Sequence, residues 1–139
     1  MAEDNARFEG SIPELYDRHL GPVIFVPYAE DLARRFAVNE GPVLEIACGT
    51  GILTERLPSR LSSTVRLVAT DLNAPMIDYA RARLGASQPI EWQTADAASL
   101  PLPAASFAAI ACQFGLMFVA DKEAPFRGSR ILYQRSLDK

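Results

Sequence analysis

Cysteine, histidine and lysine are all scarce in this sequence. Of its 139 residues, only Cys48 and Cys112 are cysteines and only His19 is a histidine. So few sulfur and imidazole ligands argue against a cysteine-based metal centre, so no metal is expected. Each cysteine ends an apolar, strand-like run and reads as a small buried side chain. Lys122 and Lys139 are the only lysines among 14 basic residues, and the arginines are scattered singly apart from Arg34-Arg35. With a formal net charge of −3 there is no basic patch for a nucleic acid to follow. No apolar run approaches the length of a membrane span. The start, Met1-Ala2-Glu3-Asp4-Asn5, is acidic where a signal peptide would be basic and then apolar. The expectation is a cytoplasmic protein with neither nucleic-acid nor membrane partners.

What is present is an ordinary globular composition, 49% hydrophobic and 22% charged. A chain of this length buries about two-thirds of its unfolded surface. Its organising stretch is Val43-Leu44-Glu45-Ile46-Ala47-Cys48-Gly49-Thr50-Gly51. The short β-branched run from Val43 to Ala47 reads as a strand buried on both faces, as in a parallel sheet. Gly49 and Gly51 then permit a tight turn and let a ligand lie against bare backbone. Helical spacing resumes over Ile52 to Leu57, placing the turn at the crevice where open α/β sheets bind ligands.

Ser11, Pro13 and Glu14 make a helix start, and that short helix ends near His19, before Gly21-Pro22. A second helix is expected over about Val26 to Val38, covering the sheet with Tyr28, Ala29, Leu32, Ala33 and Phe36. Thr64 to Asp71 supplies a second strand. Asn73 caps a helix that has Pro75 in its first turn, Met76, Ile77, Ala80 and Leu84 on its inner face, and Gly85 as its stop. Ile90 to Ala95 is a third strand, Leu100 to Pro103 a loop, and Phe107 to Cys112 a fourth strand. The alternation predicts an α/β fold, a Rossmann-like three-layer sandwich with a mainly parallel sheet. Beyond Lys122 to Arg130, read as a helix, no room remains for further strands, so the usual last strands are expected to be lacking. Residues 1–40 would form an amino-terminal helical lid and residues 41–139 the binding core.

The glycine turn alone is weak evidence of function. It gains weight from Asp71, which ends the second strand about 20 positions after Gly51, where a carboxylate can accept from both hydroxyls of a ribose. The ligand therefore contains a nucleoside. A dinucleotide fingerprint would need a third small residue where Thr54 stands, and Glu45 would repel a pyrophosphate. A cationic ligand suits Glu45 better.

At this point the residues resemble a family. Val43 to Gly51 is similar to the first motif of the class I S-adenosylmethionine-dependent methyltransferases, Thr70-Asp71-Leu72-Asn73 with Met76 to the second, and Ala95-Asp96-Ala97 to the third. Gln113 to Phe118 resembles the fourth motif in the branch containing ubiquinone and menaquinone biosynthesis enzymes. The resemblance implies that Glu45, Ala47, Gly49 and Gly51 cradle the methionine and ribose part of S-adenosylmethionine. Asp71 would hold the ribose hydroxyls, Leu72 and Met76 would border the adenine, and Asp96 and Ala97 would meet its amino edge. Gln113 and Phe114 would lie beside the sulfonium, with Tyr16 a weaker contact from the lid. Plainer roles exist for several of these: Asp96 as a turn cap, Leu72 and Met76 as core, Tyr16 as packing. No general base stands out, and Asp17 and His19 are the only suggestions from the amino-terminal segment.

The sequence also departs from the family's pattern. Phe107-Ala108 stands where Phe-Asp is usual, and Tyr133-Gln134-Arg135-Ser136 replaces a Pro-Gly-Gly turn, so the resemblance covers the cofactor half of the fold. This expectation leaves the fourth strand on an edge, which a homodimer would cover. The expected function is methyl transfer to a small-molecule acceptor; the alternative is a truncated S-adenosylmethionine-binding module without turnover.

Overall fold

The computed structural model describes residues 12–36, 38, 40–87, 89–96, 107–113 and 132–135. Its centre is β1 (Val43–Ile46), every residue of which is buried. Around it stand β2 (Leu67–Asp71), β3 (Ile90–Thr94), β4 (Ala109–Gln113) and β5 (Leu132–Arg135). All neighbouring pairs are parallel, in the order β3-β2-β1-β4-β5. Chain order runs outward from β1 through β2 and β3, then restarts at β4 on its other side. The crevice beyond the carboxyl ends of β1 and β4 is thus a topological switch point, the usual ligand position in such sheets.

The fifth strand corrects the sequence reading. Leu132–Arg135 pairs with Ile110–Gln113 in parallel register, so β4 is not an edge. Tyr133-Gln134 lacks the alternation or apolar run that would mark a strand. Pairing with an already ordered neighbour supplies what local propensity does not. The helix expected over Lys122–Arg130 and the loop from Leu100 to Pro103 fall outside the described residues.

The amino-terminal segment differs as well. Instead of two helices broken at Gly21-Pro22, α1 (Ile12–Leu15) runs through a π-helical stretch, Tyr16–Phe25, into α2 (Val26–Arg35). Pro22 lies inside that stretch, and the Val26 N–H reaches back to the Gly21 carbonyl. Proline clashes with the carbonyl four residues back in an α-helix, and the wider π spacing is one way to continue past it. Ala29, Leu32 and Ala33 of α2 are buried with Val43, Leu67, Ala109 and Ala111 of the sheet.

Three helix and strand expectations hold with shifted ends. The helix α3 (Ala74–Leu84) starts after Asn73, buries Met76, Ile77 and Ala80, and stops at Gly85 with φ of 68°. Strand β2 begins at Leu67, because Thr64 to Arg66 has no ladder partners, and β4 extends one residue beyond Cys112. Ile52 to Leu57 is the exception: it forms hydrogen-bonded turns followed by a 3-10 turn at Pro58–Arg60, with no regular helix. The Arg56 N–H bonds to Leu53 while that of Glu55 reaches Gly51, mixing two helical spacings in one turn, and Pro58 prevents propagation.

Candidate functional site

Parallel register decides which side chains meet. Glu45 pairs with Ala69 on one side and Ala111 on the other, and side chains two residues apart share a sheet face. Glu45, Asp71 and Gln113 therefore project from one face near the carboxyl ends of three adjacent strands. Between them the chain turns through Cys48, Gly49, Thr50 and Gly51, with Gly49 and Gly51 at φ of 56° and 86°. Ala47 also takes a positive φ, 54°, a cost borne by a residue with a Cβ at the end of β1.

Asp71 organises this turn. One carboxylate oxygen accepts from the Gly49 N–H at 2.8 Å, and the other from the Asn73 N–H at 2.9 Å. The residue is 7% exposed, and burial raises its pKa against the opposing pull of these amides. Two well-formed bonds leave acceptor capacity on the carboxylate. Arg83 of α3 holds the turn from the other side, donating Nε and Nη2 to the Thr50 carbonyl at 3.2 and 3.0 Å while Nη1 pairs with Glu55.

Glu45 is 2% exposed, and its carboxyl group accepts from the Thr54 hydroxyl at 2.5 Å. Burial pushes its pKa up to about 8; the Thr54 bond pulls it down and the nearby Asp71 carboxylate adds to the rise. Cys48 is buried beside it, and burial and the two carboxylates raise its thiol pKa well above the ordinary value, which favours the uncharged thiol.

A solvent-open pocket is lined by Glu45, Ala47, Cys48, Gly49, Thr50, Ile52, Leu53, Gln113 and Phe25. Of the residues named from sequence, Glu45, Ala47, Gly49 and Gln113 thus line one cavity. Gly51 does not line it; a Cβ there would stand 3.2 Å from the Ala80 Cβ, so its role is close packing against α3. Leu72 is 52% exposed just beyond Asp71, whereas Met76 is 2% exposed and belongs to the interior of α3. Asp96 is exposed beyond β3. His19 is exposed on the π-helical stretch and is not among the pocket-lining residues. Ala97, Phe114 and the Tyr16 side chain lie outside the described residues.

Sequence reasoning missed Thr54, Arg83 and Phe25. A buried acid in an apolar strand must find a donor, and Thr54, nine positions on beyond the glycine turn, was the available signal. Arg83 and Phe25 reach the site through tertiary packing and leave no local signal. Among the described residues there is no cluster that could hold a metal ion and no helix long and apolar enough to cross a membrane.

The all-parallel sheet with this order, a glycine turn after β1 and an acid ending β2 define a nucleoside-binding α/β domain. A methyltransferase-domain profile matches residues 43–130. The chain belongs to that family, the S-adenosylmethionine-dependent methyltransferases. It is 40% identical over 105 residues to the ubiquinone/menaquinone biosynthesis C-methyltransferase of Pseudomonas savastanoi pv. phaseolicola, a match covering 69% of this chain and 41% of that one. It is 41% identical over 90 residues to demethylmenaquinone methyltransferase of Deinococcus radiodurans, covering 64% of this chain and 37% of the relative. Among solved structures, an S-adenosylmethionine-dependent methyltransferase from Mesorhizobium loti superposes with a TM-score of 0.59 at 26% identity, over 71% of this chain and 44% of that one. The aligned part spans about two-fifths of the length of these curated relatives.

Proposed function

We propose that the chain binds S-adenosylmethionine in the pocket beyond β1 and β4 and directs its methyl group to a carbon of a small planar acceptor of the quinone type. The observation that carries this reading is the convergence of Glu45, Gly49 and Asp71 on one turn at the switch point of the sheet. The acceptor class rests on the Pseudomonas and Deinococcus relatives, whose names place them in ubiquinone and menaquinone methylation.

The residues present suit that cofactor. The Gln113 amide oxygen offers the pocket an acceptor, and Glu45, protonated in the free fold near neutral pH, is drawn into its ionised form by a cationic ligand. Gly49 leaves open space where a side chain would stand, so ligand atoms can approach its backbone. Asp71 has lone pairs for ribose hydroxyls, and exposed Leu72 offers an apolar surface for the adenine, with Met76 supporting it from within α3. Gly51 keeps the turn tight, and Ala47 is part of the pocket wall. Asp96, with Ala97, is assigned the adenine edge, and Phe114 follows Gln113 towards the sulfonium end.

When bound, S-adenosylmethionine supplies a methyl group already activated by positive sulfur. The chain's own contribution is then position and exclusion of water. Holding reacting groups in line is worth up to about 7 to 11 kcal/mol in favourable cases. Phe25, Ile52 and Leu53 give the pocket apolar walls, and Phe25 brings the helical residues ahead of residue 41 to its rim as a cover.

The test is transfer of labelled methyl from S-adenosylmethionine to a demethylated quinol, with wild type and Asp71→Ala. Label should appear in the quinol carbon with wild type only. Cofactor binding without any transfer would support the module without turnover, and absence of both would overturn the reading.

A further inference from the structure

Gln113 stands at the last position of β4 with its amide divided between two surroundings. Its Nε2 donates to the backbone carbonyl of Phe25 at 3.0 Å, tying the sheet to the end of the π-helical stretch 88 positions earlier in the chain. Its Oε1 is buried and has no hydrogen-bond partner among the described residues. The amide cannot be turned round, because that would set two oxygens against each other at the Phe25 carbonyl. A buried amide oxygen left unpaired is costly, and the usual explanation for one in a pocket wall is a ligand donor. Gln113 and Phe25 both line the pocket that also contains Glu45.

Resting on the cofactor reading above, we propose that Gln113 is a positioning residue which couples occupancy of the pocket to the amino-terminal helical segment: its Oε1 accepts from an ammonium group of the bound ligand while its Nε2 holds the Phe25 carbonyl. The donor class follows from the wall: Gln113 Oε1 is an unpaired acceptor, and a cation beside Glu45 is favoured because it draws that carboxyl group into its ionised form. Phe25 is the last residue of the π-helical stretch, at the junction with α2, and its carbonyl is the one that β4 reaches through Gln113. A ligand bond to Oε1 polarises the amide and strengthens the Nε2 bond to the Phe25 carbonyl, so the segment is tightened through Gln113 in addition to any contact the ligand makes with Phe25 itself.

Hydrogen exchange of residues 16–25 tests this directly, measured with and without S-adenosylmethionine in wild type, Gln113→Leu and Gln113→Glu. In wild type the ligand should slow exchange across 16–25. Gln113→Leu removes both bonds and should weaken cofactor binding about tenfold, with no protection of 16–25 even at saturation. Gln113→Glu keeps an acceptor towards the ligand but opposes the Phe25 carbonyl, so at saturating S-adenosylmethionine it should lose the protection; it also serves if the leucine variant fails to fold. Equal ligand-induced protection in wild type and a folded variant would overturn the coupling while leaving the cofactor reading intact. Failure of wild type to bind S-adenosylmethionine would instead overturn the cofactor reading.

Discussion

A carboxyl group buried under the glycine turn makes the stability of this domain depend on pH in an unusual direction. Glu45 ionises near pH 4.5 when exposed and at about 8 when folded. Between those values the folded state holds a proton that the unfolded state has released, so stability is greatest at the acid end and falls as pH rises. The loss between pH 5 and pH 8 is on the order of 3 kcal/mol. Urea denaturation at the two pH values should show it, and Glu45→Gln, which keeps an acceptor for Thr54, should flatten it. An equal decline in the variant would refute the assignment to Glu45. Asp71 makes a second residue-scale case. Asp71→Ala unties the Gly49 and Asn73 amides and should cost about 1 to 3 kcal/mol in unfolding experiments, beyond its effect on the ligand.

At the scale of elements, the turn after β1 is held between β2 and α3. Arg83 forks onto the Thr50 carbonyl, and Gly51 lets α3 approach, a Cβ there meeting Ala80 at 3.2 Å with φ at +86°. Gly51→Ala should therefore destabilise by about 1 to 3 kcal/mol. Gly49→Ala, where the space is open, should cost less stability while still impairing cofactor binding. Thermal melts paired with binding isotherms separate the two. Arg83→Ala should loosen the turn by about 1 kcal/mol, and lysine, lacking the fork, should not restore it; the Glu55 pair contributes little because it is largely exposed. Much of this element was legible: the apolar run ending at Val43–Ile46, the glycines with positive φ, and α3 with its Asn73 start and Gly85 stop. Those features are local, written in apolar runs and turn chemistry. The Ile52–Leu57 helix failed because helical spacing over six residues cannot propagate into Pro58. The continuous π-helical path through Pro22 was not legible, because Gly21-Pro22 reads locally as a break and the bond from Gln113 that anchors Phe25 comes from 88 positions away.

For the molecule as a whole, strand alternation was enough to foresee a parallel sheet, and the order β3-β2-β1-β4-β5 follows from crossovers on both sides of β1. Strand β5 was not legible, since four residues with little strand character are held by their partner β4 rather than by their own preference. Its position also removes the argument for a homodimer through β4; the outer edges of the described sheet belong to β3 and β5. The placement of the candidate residues was legible where they lie on strand ends or the glycine turn, as with Glu45, Gly49, Asp71 and Gln113. It was hidden where distant segments close it, as with Phe25 and Arg83.

A glycine turn tied to Asp71 and built for S-adenosylmethionine should reveal itself in calorimetric titration. Wild type should bind S-adenosylmethionine and its demethylated product, and Asp71→Ala should bind neither measurably while remaining folded. Binding that survives the substitution unchanged, or its absence from folded wild type, would contradict the account.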